Sequence, residues 1–168
     1  MGEEWGARTP FQYFTDHAEA ELAESIRQGR SREFATHGWT ELYGEEVQVP
    51  DPQARSTFTA SKLDWDEADR PGHTRLLAFY RDLIGLRRTE ADIASGVRAD
   101  TAVRAAEGGG WLVLDRGKVS IAVNLDDTPR EVPLRGAVRE VLLGWTGEVQ
   151  AADDTITLPA HDVAVLRH

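Results

Sequence analysis

A chain of 168 residues with 40% hydrophobic and 8% aromatic content carries enough apolar material for one full domain or two small ones, which excludes wholesale disorder. With 19 Lys and Arg against 29 Asp and Glu, the formal charge is -10, so a phosphate backbone or an anionic bilayer is repelled, and neither nucleic acid nor membrane is expected as a partner. The lack of cysteine excludes disulfides, thiolate metal sites and a thiol nucleophile. No apolar run approaches the ~20 residues that cross a bilayer, and a cytoplasmic location is the expectation.

The first segment, Met1 to about Asp16, mixes Gly, Pro, Thr and aromatics without periodicity and reads as a long loop whose rings need a surface to lean on. From His17 to Arg30 the recurrence of Ala18, Leu22 and Ile26 at fours predicts a helix with a narrow apolar face, stopping at Gly29. A connector rich in Pro, Ser, Thr and Asp follows, too long for an ordinary link and expected to wrap over something larger. The clearest helix is Thr74 to Thr89. Leu76, Phe79, Leu83 and Leu86 form one stripe and Leu77, Tyr80 and Ile84 a second beside it, a broad face expected to pack on more than one side. Beyond Ser95 the pattern becomes short alternating runs split by Gly, Asp and Pro: "TAVRAAE", "WLVLDR", "KVSIAVNL", "REVPL", "VREVLL", "TITL" and "DVAVLR". Runs of that length and spacing predict an antiparallel β-sandwich. The fold class is therefore α+β, with residues 1–92 forming a helical, loop-rich part of a domain and residues 93–168 an all-β module.

"MGEEWG", "TPFQYFTDH", "REFATHGW", "VPDPQ" and "SKLDW", in this order and spacing, resemble the C-terminal stretch of the malto-oligosyltrehalose trehalohydrolases of the α-amylase superfamily. "LPAHDVAVLR" resembles the last strands of amylase-type C-terminal domains. The resemblance implies the end of a (β/α)8 barrel followed by a β-sandwich. Met1 to Gly6 would be the exit of the last barrel strand, Ala7 to about Arg70 a long loop with an inserted helix, and Thr74 to Thr89 the last barrel helix. It further implies a parent enzyme that cleaves the α-1,4 bond of maltooligosyl-trehalose to release trehalose, by a retaining mechanism with two carboxyl groups. In that pattern the catalytic acids lie upstream of this chain, so no catalytic residue is expected in it and the chain alone is expected to be inactive, with the upstream barrel portion as its partner. Met1 coincides with a methionine the family commonly carries inside the last strand, which implies a truncation or an internal start in a longer reading frame.

Four residues are candidates for contact with maltooligosyl-trehalose or another α-1,4-glucan. By resemblance Glu4 would touch sugar hydroxyls or orient its neighbours, and Pro10 and Phe11 would lie toward the acceptor side of the cleft. Trp5 and Phe11 present flat rings that complement a pyranose face, the alternative being that they pack the loop onto its barrel. Glu3 and Glu4 are no catalytic pair, because neighbours on an extended segment point to opposite sides. Tyr13 and Phe14 are expected in the core. Asp64, Asp66 and Asp69 hint at calcium but lack the Gly and final Glu of an EF-hand loop, so a polar lead-in to the next helix is the better reading and no metal or cofactor is expected. His17, His37, His73, His161 and His168 are scattered without metal spacing and are expected at the surface or locally hydrogen-bonded. Asp126, Asp127, Asp153 and Asp154 sit at predicted turns. Two readings of other classes remain open: a stand-alone α-glucan-binding module and a purely structural one.

Overall fold

The computed structural model describes residues 1–36, 49–147 and 149–168. His37, and the "HGW" of the first connector motif, lie outside the described residues. The chain divides into two compact units, Met1–Leu77 and Ala78–His168. Among the described residues no helix is long and apolar enough to cross a membrane.

The first unit is built from helices and turns. Its opening residues, expected as the exit of a strand, instead form a 3-10 turn, Glu3–Trp5, held between Gly2 and Gly6 at φ 76° and 69°. A strand needs a neighbour for its N–H and C=O groups, and this unit has no strand among its described residues. Gly2 is required for close approach as well, since a Cβ there would stand 2.5 Å from that of Ala7. Helix α1 (Ala20–Thr36) runs past the stop expected at Gly29. A glycine inside a helix costs only about 1 kcal/mol, and side-chain pairs on either side of it offset that: Glu24 accepts from Arg27 and from Gln28 (2.8 Å), and Arg30 pairs with Glu33 at 2.6 Å.

The connector after it contains elements its composition conceals. Arg55–Ala60 is a helix, α2. Ser and Thr compete with the backbone for hydrogen bonds and are weak helix formers, but here their hydroxyls bond back along the chain. Thr57 donates to the Asp51 carbonyl (2.6 Å) and Ser61 to that of Thr57 (2.9 Å). A 3-10 turn, Trp65–Asp69, follows, and its first turn is capped by Asp64, which accepts from the Asp66 N–H.

Helix α3 (His73–Thr89) forms where its double stripe predicts, and the boundary between the units falls within it. None of its residues is buried: Leu76, Leu77, Phe79, Tyr80, Leu83 and Leu86 are half-covered and Ile84 is 49% exposed. Packing on more than one side is therefore not what this chain provides. Within the second unit the ring of Phe79 meets that of Trp145 edge-on at 5.2 Å.

After a short helix, α4 (Ala91–Ala94), the second unit is a sandwich of two antiparallel sheets. All seven predicted runs are strands: β1 (Thr101–Ala105), β2 (Trp111–Arg116), β3 (Val119–Asn124), β4 (Arg130–Pro133), β5 (Glu140–Gly144), β7 (Thr155–Leu158) and β8 (Val163–Arg167). Gln150–Ala151 adds β6, too short to show a period. One sheet is ordered β1-β2-β3-β8-β5 and the other β4-β7-β6. Register places Val113 opposite Ala122 and Ala122 opposite Ala164. With Leu166 they form one inner face, packed against Val132, Ile156 and Leu158 of the other sheet. Alternation along each strand produces this directly, since inward residues recur every second position.

The two-residue β2–β3 turn carries a specific requirement. Gly117 has φ 53°, and a Cβ on it would lie 2.3 Å from the carboxyl carbon of Asp92, which accepts the Lys118 N–H at 2.7 Å. Gly117→Ala therefore meets both a left-handed backbone and an occupied space, and is expected to destabilise the chain by about 2 kcal/mol. Thermal unfolding of the purified variant checks this, and an unchanged midpoint counts against the Asp92 contact.

Candidate aromatic binding site

Trp5 is the anchor of the first unit. It is 7% exposed, its ring centroid 5.4 Å from that of Trp65 at an interplanar angle of 40°. One polar contact to its backbone, braced by two more around it, fixes its place. The Trp5 carbonyl lies 2.6 Å from His73 Nδ1, and because a carbonyl only accepts, that ring nitrogen carries the hydrogen. Glu67, 4% exposed, accepts the Arg8 N–H at 3.1 Å and stands 3.7 Å from His73 Nε2. One buried carboxylate thus ties the segment after Trp5 to the turn bearing Trp65 and to the start of α3.

Over this anchor the unit presents its large rings outward. Trp65 is 70% exposed and Phe11 64%. Phe14 bridges two partners edge-on, Phe11 at 6.3 Å and Phe58 at 5.2 Å, and Lys62 Nζ stands 4.9 Å above the Phe58 ring. Phe11, Phe14, Phe58, Lys62, Leu63 and Trp65 line a depression of about 440 Å³. Contiguous exposed rings of this kind mark a binding surface on a soluble protein, and the volume lies within the roughly 300–1,000 Å³ of small-molecule sites. Flat apolar faces beside one ammonium group suit a ligand with C–H faces and hydroxyl rims.

The candidates from sequence are distributed unevenly over this surface. Phe11 lines the depression, Glu4 and Pro10 are exposed, and Trp5 lies beneath Trp65. Glu3 and Glu4 are both solvent-facing on the 3-10 turn. The expectation that Tyr13 and Phe14 are core is overturned: they are 48% and 36% exposed, Tyr13 lying under the Arg30 guanidinium at 5.0 Å. With no strand among the described residues of this unit to receive them, the rings cover one another and a cation instead. Phe58 and Trp65 were missed. Phe58 lies in a helix that composition conceals, and the only signal for Trp65 was a Trp among Asp residues, where an apolar ring does not find a core. Asp64 is occupied by the turn and by Arg70 at 2.8 Å, and no group of three or more potential ligands is arranged for a metal among the described residues.

The described histidines all have local roles. The His17 N–H donates to Gln53 Oε1 (3.2 Å), His161 pairs with Asp127 (2.8 Å), and His168 Nδ1 meets the Gly136 carbonyl (3.0 Å). In the second unit polar groups end the inward row of the large sheet. Asp115, 6% exposed, accepts from Arg104 Nε (3.0 Å) and Ser120 Oγ (2.5 Å), with Arg135 at 3.9 Å. Burial pushes the Asp115 carboxyl upward, but the bonds from Arg104 and Ser120, with the charges of Arg104 and Arg135, hold it below the usual carboxylate range. This cluster braces the sandwich.

Comparison with known proteins agrees with the sequence reading. Residues 97–165 match the model of a domain of unknown function, DUF3459. Over 167 residues the chain is 44% identical to a malto-oligosyltrehalose trehalohydrolase of Mycobacterium tuberculosis and 43% identical to one of Rhizobium sp. strain M-11, each alignment covering 99% of this chain and 27% of the relative. The chain thus spans about a quarter of the length of the curated relatives it matches. Among solved structures, a Salmonella typhimurium protein provisionally named an α-amylase superposes with a TM-score of 0.75 at 29% identity, covering 100% of this chain and 27% of that one. The fold is thus that of part of an α-amylase-type protein, and by sequence over its whole length the chain belongs to the malto-oligosyltrehalose trehalohydrolase family, corresponding to the C-terminal portion of its members.

Proposed function

We propose that this chain serves a trehalohydrolase as its glucan-contacting C-terminal part. In the whole enzyme the reaction is hydrolysis of the α-1,4 bond of maltooligosyl-trehalose, releasing trehalose in the cytoplasm. Residues 1–92 are the end of a (β/α)8 barrel and 93–168 its β-sandwich. The half-covered stripes of α3 support the barrel reading, because a helix with two apolar faces and no buried residue has surface left for elements outside this chain. The observation that carries the function is the exposed ring surface of Phe11, Phe14, Phe58 and Trp65 on a segment whose relatives are named for cleaving a glucan.

The chain supplies binding and not chemistry. A retaining hydrolase places an acid and a nucleophile on opposite sides of the scissile bond, about 5–5.5 Å apart, and neighbouring Glu3 and Glu4 on one solvent-facing turn do not flank a bond lying in the depression. The purified chain is therefore expected to bind maltotetraose without releasing sugar.

Intrinsic tryptophan fluorescence titrated with maltotetraose tests this. The wild-type chain is expected to show a saturable change, and Trp65→Ala to weaken it by at least about tenfold. A flat wild-type titration would leave the chain a structural module. Release of trehalose from maltotriosyl-trehalose by the chain alone would overturn its inactivity.

A further inference from the structure

We infer that the first unit holds a second saccharide site on the other side of the Phe14–Phe58 pair, so that a glucan in the Trp65 depression continues across these rings into it. This rests on the glucan reading above and extends it to residues for which the sequence reading gave no ligand role. Phe14, Thr15, Asp16, Gln53, Arg55 and Phe58 line a depression of about 560 Å³. It shares only Phe14 and Phe58 with the Trp65 depression, so that edge-to-face pair forms the ridge between the two.

The second depression is built rather than accidental. The segment bearing Phe14 to His17 is tied to the one bearing Pro52 and Gln53 by two main-chain donors: the Thr15 N–H reaches the Pro52 carbonyl at 2.8 Å and the His17 N–H reaches Gln53 Oε1 at 3.2 Å. The Gln53 N–H in turn donates to Asp51 Oδ1 at 2.9 Å, and Pro52 is buried. The walls are thereby set before any ligand arrives, which lowers the ordering cost of binding.

The lining selects the ligand class by elimination. Asp16 and Arg55 are both exposed, and among the described residues neither has an ion-pair or hydrogen-bond partner. Together Asp16 and Arg55 leave the lining without net charge, so an anion or a cation meets one attractive and one repulsive group there and gains little overall. An apolar ligand would strip water from both charges and return nothing. A neutral polyol satisfies both, its hydroxyls donating to the carboxylate and accepting from the guanidinium, while its C–H face lies on the rings. Two adjoining depressions of this character imply that affinity rises with glucan length beyond a disaccharide.

Calorimetric titration of the whole chain with maltose and with maltotetraose tests the inference. The wild-type chain is expected to bind maltotetraose at least about tenfold tighter than maltose. In the double variant Asp16→Asn with Arg55→Met, checked for an unchanged unfolding midpoint, that ratio is expected to fall to about one. Maltose binding with no gain for maltotetraose, or a ratio untouched by the double variant, overturns the second depression while leaving the Trp65 surface standing. Binding of neither sugar overturns the glucan reading itself and this site with it.

Discussion

Replacing Asp115 by alanine is expected to lower the stability of the β-sandwich by about 3 kcal/mol, toward the lower end of what breaking a buried ion pair costs because Arg104 keeps a third of its side chain in water. The variant leaves the guanidinium of Arg104 facing a hole and takes one of two partners from the fully buried Ser120 hydroxyl, whose other contact is His168 Nε2 at 2.8 Å. For a module of this size such a loss shifts the midpoint by on the order of 10–20 °C. Asp115→Asn separates charge from hydrogen bonding, since an amide oxygen still accepts from Arg104 but no longer neutralises it; a loss about half as large is expected. The pH dependence follows from the direction of the shift. A carboxyl held below its unfolded value contributes stability that is fully present above roughly pH 4 and is lost as pH falls through the lowered folded value. Wild-type unfolding midpoints should therefore fall in acid more steeply than those of Asp115→Asn, and parallel curves would show that Asp115 is not the group responsible.

His73→Leu is expected to unsettle the first unit by about 2–3 kcal/mol. It removes the donor to the Trp5 carbonyl and strips buried Glu67 of its neighbour. His73→Asn, whose amide nitrogen reaches the place of Nδ1, is expected to recover most of that. The same pair separates a positioning role from general stabilisation. The near-ultraviolet circular dichroism of the Trp5–Trp65 pair, 5.4 Å apart, should be lost in the leucine variant at a temperature where the far-ultraviolet signal is intact, and retained in the asparagine variant. Were the leucine variant to keep the wild-type aromatic signal, His73 would hold α3 in place without setting the pose of the rings.

The largest part of the architecture is legible in the sequence. Strands β1 to β5, β7 and β8 declare themselves because a half-buried strand alternates and a turn must use Gly, Asp or Pro, both of which are local facts. α3 is legible for the same reason, its two stripes being a property of 3.6-residue periodicity. The family is legible because five short motifs keep their order and spacing.

What the sequence could not determine depended on side-chain partners that composition does not reveal, several of them far along the chain. Residues 1–6 turn rather than extend, because an extended segment is held only by a neighbouring strand. α1 crosses Gly29 because flanking ion pairs outweigh one weak residue, and α2 exists because hydroxyls bond back to carbonyls that composition does not reveal. Phe14 and Trp65 are outward because Trp5 already occupies the small interior of their unit, under the control of Glu67 and His73 some 60 residues later. Asp115 and Ser120 are directly opposite in the β2–β3 register, yet only the arrival of Arg104 from β1 and Arg135 from beyond β4 makes that buried carboxylate stable. Composition and periodicity report what each segment prefers by itself; which polar groups are satisfied, and which rings are left facing water, is decided by tertiary contacts, because desolvation is a property of the assembled neighbourhood.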